Sequence, residues 1–320
     1  LADGTRLWRF ILDALTAARP VLLAVVVASK GSAPARVGSK MAVTLDNASG
    51  TLGGGLIEEQ MLQKARAMLV QDEPESWKQR FRHHSHPDQS DDHMWCGGEQ
   101  TVLLYRCRQT DLATLRQIVA VGESRQRLGY GIDSSGLHIN DDELFNDAPL
   151  WTDGEHWQYQ EKLCLPPRAY IVGAGHVGQA LAQLLSWLDF DIVLLDCREF
   201  NASEPIDGKQ AWLRVDYQTI DQIIPEGEDV FVFVMTHFHA YDQAVIARLA
   251  NRSFAYLGLL GSQAKVNRIK AALSACIDAA FLEKLHAPMG LAIASHTPQE
   301  IAVSIAAEVV GLWARGSGGD

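Results

Sequence analysis

The chain has 320 residues, 47% hydrophobic and 21% charged, with a formal net charge of −11 at pH 7. This is the composition of a soluble globular protein of roughly two domains, and the acidic balance argues against a nucleic-acid surface, because backbone phosphates demand clustered Lys and Arg. No run of about 18 uncharged apolar residues offers a membrane span, the opening LADGTRLWRF lacks the basic-then-apolar order of a secretory signal, and five cysteines without a CxxC pair fit a reducing compartment, so the expected address is the cytoplasm.

In chain order, RLWRFILDALTAA repeats its apolar residues every three to four positions, as an amphipathic helix requires, and stops at Pro20. VLLAVVVAS (21–29) reads as a buried strand, GSAPARVGS as a punctuated loop and KMAVTLD (40–46) as a second strand. GTLGGG (50–55) then feeds the helix LIEEQMLQKARAML, whose carboxylates lie in its first turn as the helix dipole favours. A polar run HHSHPDQSDDH (83–93) without fixed periodicity reads as a loop, with adventitious metal binding as the alternative. The turn DHMWCGGEQ, a strand TVLLY, a helix DLATLRQIVAV and weaker strands follow, and WQYQEKLCL runs into Pro166 and Pro167. That stiff joint separates an N-terminal α/β domain, 1–163, from a second domain, 164–320.

The second domain alternates strand and helix: RAYIVGAG, HVGQALAQLLSWL, DIVLLD, DVFVFVMT, AYDQAVIARLA and FAYLGLLG. Such alternation specifies a Rossmann-like, doubly wound parallel sheet with helices on both faces. In the closing helix HTPQEIAVSIAAEVVGLWA, Thr297 and Glu300 form a capping-box pattern with Pro298 at the first helical position.

GAGHVG (Gly173, Gly175, Gly178) lies between strand and helix, with Asp196 ending the next strand. The first glycine turns the chain, the second admits a pyrophosphate, the third packs helix on strand, and the acid can accept from a ribose hydroxyl. The same loop serves NAD(P), another nucleotide or a phosphate-bearing pterin. His176 is either an exposed helix-start residue or a phosphate contact. In GLLGSQAKVNR, Gly261 and Ser262 open a helix at the carboxyl edge of the sheet, with Lys265 and Arg268 one turn apart and able to reach an anion, or else simply solvated. THFHAYD (236–242) is near the HxHxDH signature of metallo-β-lactamase-type hydrolases but out of register, leaving His237, His239 and Asp242 as lining of a ligand site or as a capped helix start.

In the first domain, Cys96 beside Gly97 and Gly98 is either a reactive thiol exposed by a glycine turn or a packed small residue. The loop bearing Arg36 and Lys40 pairs with Gly53, Gly54 and Gly55, three glycines in a row ahead of a helix. Together they are either an anion-binding nest or two tight turns.

Seven segments in order, GSAPARVGSKM, GGGLIEEQ, CGGEQTVLLY, IVGAGHVGQALAQL, VMTHFHAYDQAVI, YLGLLGSQAKVNRI and HAPMGLAIASHTPQEIAVSIAAEVV, resemble the xanthine dehydrogenase accessory protein family, XdhC/CoxI type, over nearly the whole chain. The resemblance implies a chaperone that binds molybdenum cofactor (molybdopterin), holds it while a cysteine desulfurase supplies the sulfido ligand, and delivers it to an apo-molybdenum hydroxylase such as xanthine dehydrogenase. It implies Cys96 as the sulfur or molybdenum contact, and Gly53, Gly54, Gly55, Arg36 and Lys40 as contacts to the pterin phosphate. Gly173, Gly175, Gly178 and Asp196 would bind the nucleotide portion or a separate nucleotide, and the protein would be a homodimer. Two departures are Ala35, which splits a proline–arginine pair common in the family's first loop, and Gln263, where an arginine is frequent. The competing expectations are an NAD(P)-dependent oxidoreductase, on the fingerprint, and a persulfide carrier built on Cys96 alone.

Overall fold

Residues 22–27 are apolar at every position, so a strand there must bury both of its faces. The structure, a computed structural model, describes residues 4–31, 33, 35–71, 76–82, 98–124, 128–140, 149–163, 166–199 and 210–316, and it divides into two compact units just before Pro166.

The first unit contains α1 (Gly4–Thr16), β1 (Leu22–Gly31), β2 (Lys40–Val43), β3 (Ala48–Gly50), α2 (Gly55–Gln71), β4 (Ser76–Arg82) and β5 (Gly98–Arg106), followed by α3 (Leu112–Ser124), β6 (Gly129–Asp133), β7 (Gly136–Asn140), β8 (Leu150–Thr152) and β9 (Gln158–Lys162). An antiparallel sheet of order β3-β2-β1-β5-β4 has β1 at its centre, and a second antiparallel sheet runs β7-β6-β9-β8. Alternation along β1 decides what covers each face. Leu23, Val25 and Val27 join a core with Leu7, Trp8 and Ile11 of α1, Leu115 of α3 and Tyr130, Ile132 and Tyr159 of the second sheet. Leu22, Ala24 and Val26 meet Ile57, Met61, Ala65 and Met68 of α2. Trp8 stands edge-on to Tyr130 at 4.9 Å.

The second unit contains β10 (Arg168–Val172), α4 (His176–Trp187), β11 (Asp191–Asp196), β12 (Gln210–Arg214), β13 (Gly227–Val234), α5 (His239–Leu249), β14 (Phe254–Leu259), α6 (Gln263–Leu273), α7 (Ala279–Lys284) and α8 (Pro298–Gly316). Its sheet is wholly parallel, in the order β12-β11-β10-β13-β14. The chain leaves β10 toward one edge and later returns to the other, so the carboxyl ends of β10 and β13 form a switch point, where open α/β sheets bind ligands. Ala169, Ile171, Phe231 and Phe233 face α4 and α8; Tyr170, Val172, Val230, Val232 and Val234 face α5 and α6. α8 starts as its capping box predicts: Glu300 N–H donates to Thr297 Oγ1 (3.2 Å), and Thr297 N–H donates to Glu300 Oε2 (2.9 Å).

The α/β class and the Rossmann-like half stand as expected. Strands β4 and β12 go beyond the sequence reading. Both are edge strands, SWKQRFR and QAWLR, whose polar residues give no buried run to read. Among the described residues no helix is long and apolar enough to cross a membrane.

Candidate functional site

In the first unit, the glycine-rich segments stand at two levels of the five-stranded sheet, Gly31 and Gly98 at the end of β1 and Gly50 level with Ala24 near its start. Gly31, ending β1, pairs with Gly98, opening β5, while Met41 pairs with Gly50 and the Lys40 carbonyl accepts from Thr51 N–H at 2.8 Å. Gly53, Gly54 and Gly55 follow with φ of 96°, 78° and 70°, a left-handed run that side chains resist. A Cβ on Gly54 or Gly55 would meet nothing within 4 Å, so the backbone conformation, not crowding, demands glycine there.

The nest formed by this run already holds an anion. Glu58, in the first turn of α2, accepts from Leu52 N–H (2.8 Å) and Gly54 N–H (3.1 Å) through Oε2, and from the Thr51 hydroxyl. Partial burial opposes its ionisation, but the bonds from Thr51, Leu52 and Gly54 outweigh that and hold its carboxyl below the ordinary value. Lys40 is also engaged. Its ammonium donates to the Gly38 carbonyl at 2.7 Å and pairs with Glu161, whose other oxygen accepts from Tyr159 OH, and both side chains of the pair are largely buried. Arg36 is exposed. Cys96 and the run at 83–93 lie outside the described residues; Gly98, two positions after Cys96, opens β5 opposite Gly31. Close by on β5, Gln100 is fully buried, and neither its carboxamide oxygen nor its nitrogen has a hydrogen-bond partner among the described residues. Such an orphaned amide calls for a partner from outside them.

In the second unit the three fingerprint glycines meet different surroundings. A Cβ on Gly173, at φ 116°, would lie 2.3 Å from the Met235 carbonyl, and one on Gly178 would lie 2.2 Å from the Gly173 carbonyl. At Gly175 it would meet nothing within 4 Å. Gly175 is the N-cap of α4 and supplies no side-chain cap for the amides of its first turn, and His176, the first helical residue, is exposed.

Asp196 takes a different part from the one its position suggested. Buried at the end of β11, it accepts from Ala174 N–H (2.9 Å), Arg198 N–H (3.0 Å), Arg198 Nε (2.9 Å) and Arg198 Nη2 (2.8 Å). These four bonds use the acceptor capacity of the carboxylate. Burial works against its charge, yet the bonds from Arg198 and Ala174 prevail and lower its pKa to about 2.

Asp242 of THFHAYD is fully buried and accepts from Thr236 N–H (2.9 Å) and Thr236 Oγ1 (2.7 Å), so it ties the start of α5 to the end of β13. Lys265 turns inward to Asp242 at 2.5 Å and to the Leu260 carbonyl at 2.9 Å, which removes it from the anion site expected in GLLGSQAKVNR. Ser262 instead caps α6, accepting from Lys265 N–H, while Gly261 leaves room for the Lys265 side chain. His237 and His239 are exposed. His237 comes within 4.8 Å of both Asp196 and Cys197 through its ligand atoms.

Sequence reading missed Glu58, Gln100, Glu161, Cys197, Arg198 and Tyr217. Glu58 and Arg198 had a signal, being charges placed to satisfy a glycine nest and a strand-end carboxylate. Glu161, 121 residues from Lys40, had none.

Comparison with known proteins fits this layout. The sequence model of the XdhC Rossmann domain matches residues 169–309, and that of the XdhC and CoxI family matches residues 14–82. The chain is 26% identical over 304 residues to the uncharacterized protein YqeB of Escherichia coli (strain K12), covering 94% of this chain and 45% of YqeB. It is 32% identical over 148 residues to a probable xanthine dehydrogenase subunit of Bacillus subtilis (strain 168), covering 45% of this chain and 42% of that protein. The chain thus spans less than half the length of either curated relative. A solved structure from Bacillus halodurans, described as a xanthine dehydrogenase, superposes with a TM-score of 0.78 at 22% identity over 98% of this chain and 96% of that one, a likeness of fold. With one model matched in each half, the chain belongs to the XdhC and CoxI family.

Proposed function

We propose that the chain is an accessory factor of a molybdenum hydroxylase of the xanthine dehydrogenase type, which binds molybdenum cofactor, keeps it accessible to a cysteine desulfurase and delivers it to the apo-enzyme. Family membership in both halves supports the class of function. The observation that carries the cofactor reading is Gln100, a fully buried carboxamide with no partner among the described residues, two positions past Gly98 where β5 begins.

The residues fit such a ligand unevenly. The Gln100 carboxamide, fully buried, can meet the amide-like edge of a pterin ring only once the residues that cover it move aside. In the second unit, taken by itself, Gly175 and the uncapped start of α4 leave space and N–H groups for the phosphate of a nucleotide. Arg36 is exposed and able to approach an anion, whereas Glu58 and Lys40 must first give up their internal partners. Cys96 keeps its proposed role as the soft contact, by virtue of thiolate chemistry. When bound, the cofactor supplies a molybdenum centre whose terminal ligand is exchangeable for sulfide. The chain's own part is to bind, orient and shield it.

An NAD(P)-dependent oxidoreductase is less well supported, since it needs Asp196 to accept from a ribose hydroxyl. A neutral hydroxyl competes poorly with the charge-assisted bonds that Arg198 already makes. Reconstitution of cofactor-free xanthine dehydrogenase with cofactor and sulfide donor, with and without the chain, tests the proposal. A larger active fraction in its presence is expected, and no difference at any ratio would overturn the accessory role.

A further inference from the structure

We propose that Asp196, Cys197 and His237 form a binding site for a thiophilic divalent cation of the zinc class at the switch point of the parallel sheet. One carboxylate oxygen, the Cys197 sulfur and one imidazole nitrogen lie within 4.8 Å of one another. Bond lengths of about 2.0–2.3 Å to zinc place neighbouring ligands of a tetrahedral ion roughly 3.4–3.6 Å apart, so side-chain movements of about 1 Å close the set. The donors come from separate elements that the sheet topology brings together. Asp196 ends β11, Cys197 follows it, and His237 stands three residues past the end of β13, on the other side of β10.

The surroundings favour an ion at this place. Asp196 is buried, Cys197 half-buried and His237 exposed, so the cluster has a fixed inner wall and an open outer side. The Tyr217 ring packs edge-on to Tyr241 at 5.4 Å, and Tyr241 packs edge-on to His237 at 5.3 Å, which orients the imidazole. The Tyr217 hydroxyl is buried beside Asp196 and within hydrogen-bonding reach of Cys197. It is a ready second-sphere donor to a ligand oxygen or sulfur.

Nitrogen, sulfur and oxygen donors together suit zinc and exclude magnesium and calcium, which take oxygen. With three protein ligands, a fourth position stays open to water or to an anionic ligand, the arrangement of catalytic rather than structural zinc. Arg198 is the resident counter-charge. Its side chain is 43% exposed and able to swing out, and a divalent cation, unlike a hydroxyl, replaces its charge at Asp196.

The inference is independent of the cofactor reading, and its test uses metal alone. The intact chain, reduced and stripped of metal, is titrated with Co²⁺ and then Zn²⁺. A thiolate-to-cobalt charge-transfer band should appear and be displaced by zinc. Cys197→Ser should abolish the band, His237→Ala should weaken affinity tenfold or more, and Arg198→Ala should strengthen it by removing the competitor. His237 is exposed, so its variant keeps the test decisive if Cys197→Ser fails to fold. Absence of the band in the wild-type chain, its survival in Cys197→Ser, or unchanged affinity in His237→Ala would overturn the site.

Discussion

Arg198 clasps Asp196 with two side-chain nitrogens, Nε at 2.9 Å and Nη2 at 2.8 Å, while a third bond from Ala174 N–H fastens the same carboxylate to the glycine loop. The acid of the fingerprint thus acts first as a brace between β11 and the loop after β10. Its folded pKa of about 2 lies below the ordinary 3.8, so the stabilisation is complete above about pH 4 and is lost as the pH falls toward 2. Because Arg198 is partly exposed, the pair contributes on the order of 1 kcal/mol. Urea unfolding of Arg198→Ala and wild type should differ by that amount at pH 7 and converge as the pH falls to about 2. A constant difference across the range would contradict the brace.

The three fingerprint glycines should respond differently to one added methyl group. Gly173→Ala and Gly178→Ala force a Cβ onto backbone carbonyl oxygens and should cost on the order of 2–4 kcal/mol. Gly175→Ala meets open space and should change stability by less than about 1 kcal/mol. If Gly175 serves ligand approach, its variant alone combines a normal melting temperature with weakened binding of the phosphate-bearing ligand. Normal binding by Gly175→Ala would remove that role.

These contrasts show how much of the site the sequence disclosed. The fingerprint was legible because strand, loop and helix are contiguous and each glycine's job follows from local geometry. The β1 core was legible because six successive buried residues are apolar. What escaped depends on distance or competition. Lys40 reads as a free cation until β9 brings Glu161 beside it, and the triple glycine reads as an empty nest until Glu58 turns back into it. The Cys197–His237 proximity exists only because β11 and β13 flank β10. Sequence patterns give the elements, but not which internal charges reach a site before a ligand does.

Glu58 makes the nest self-occupied, so an external anion must displace it. Glu58→Ala should cost about 1 kcal/mol, as the loss of a helix cap does, and should free the Leu52 and Gly54 amides. Millimolar phosphate should then raise the melting temperature of the variant and leave the wild type unmoved. Equal stabilisation of both proteins would show that Glu58 does not guard the nest.

Lys40 and Glu161 form a largely buried pair that braces the first loop against the second sheet. Lys40→Met leaves Glu161 without its cation and should destabilise the chain by about 3 kcal/mol, and the double variant Lys40→Met/Glu161→Leu should recover most of this. Chemical denaturation of the four proteins measures the coupling. If the double variant is stable yet binds cofactor as well as wild type, Lys40 is a brace only; if it loses binding, Lys40 also contacts the ligand.

Anaerobic incubation of the purified chain with molybdenum cofactor, followed by gel filtration and assay of molybdenum and the fluorescent pterin product in the protein peak, tests the cofactor reading most directly. Both should elute with the protein in equal amounts, and both should fall in Cys96→Ala and Gln100→Ala at little change in melting temperature. A protein peak free of pterin, from a chain that binds NADH tightly instead, would contradict it.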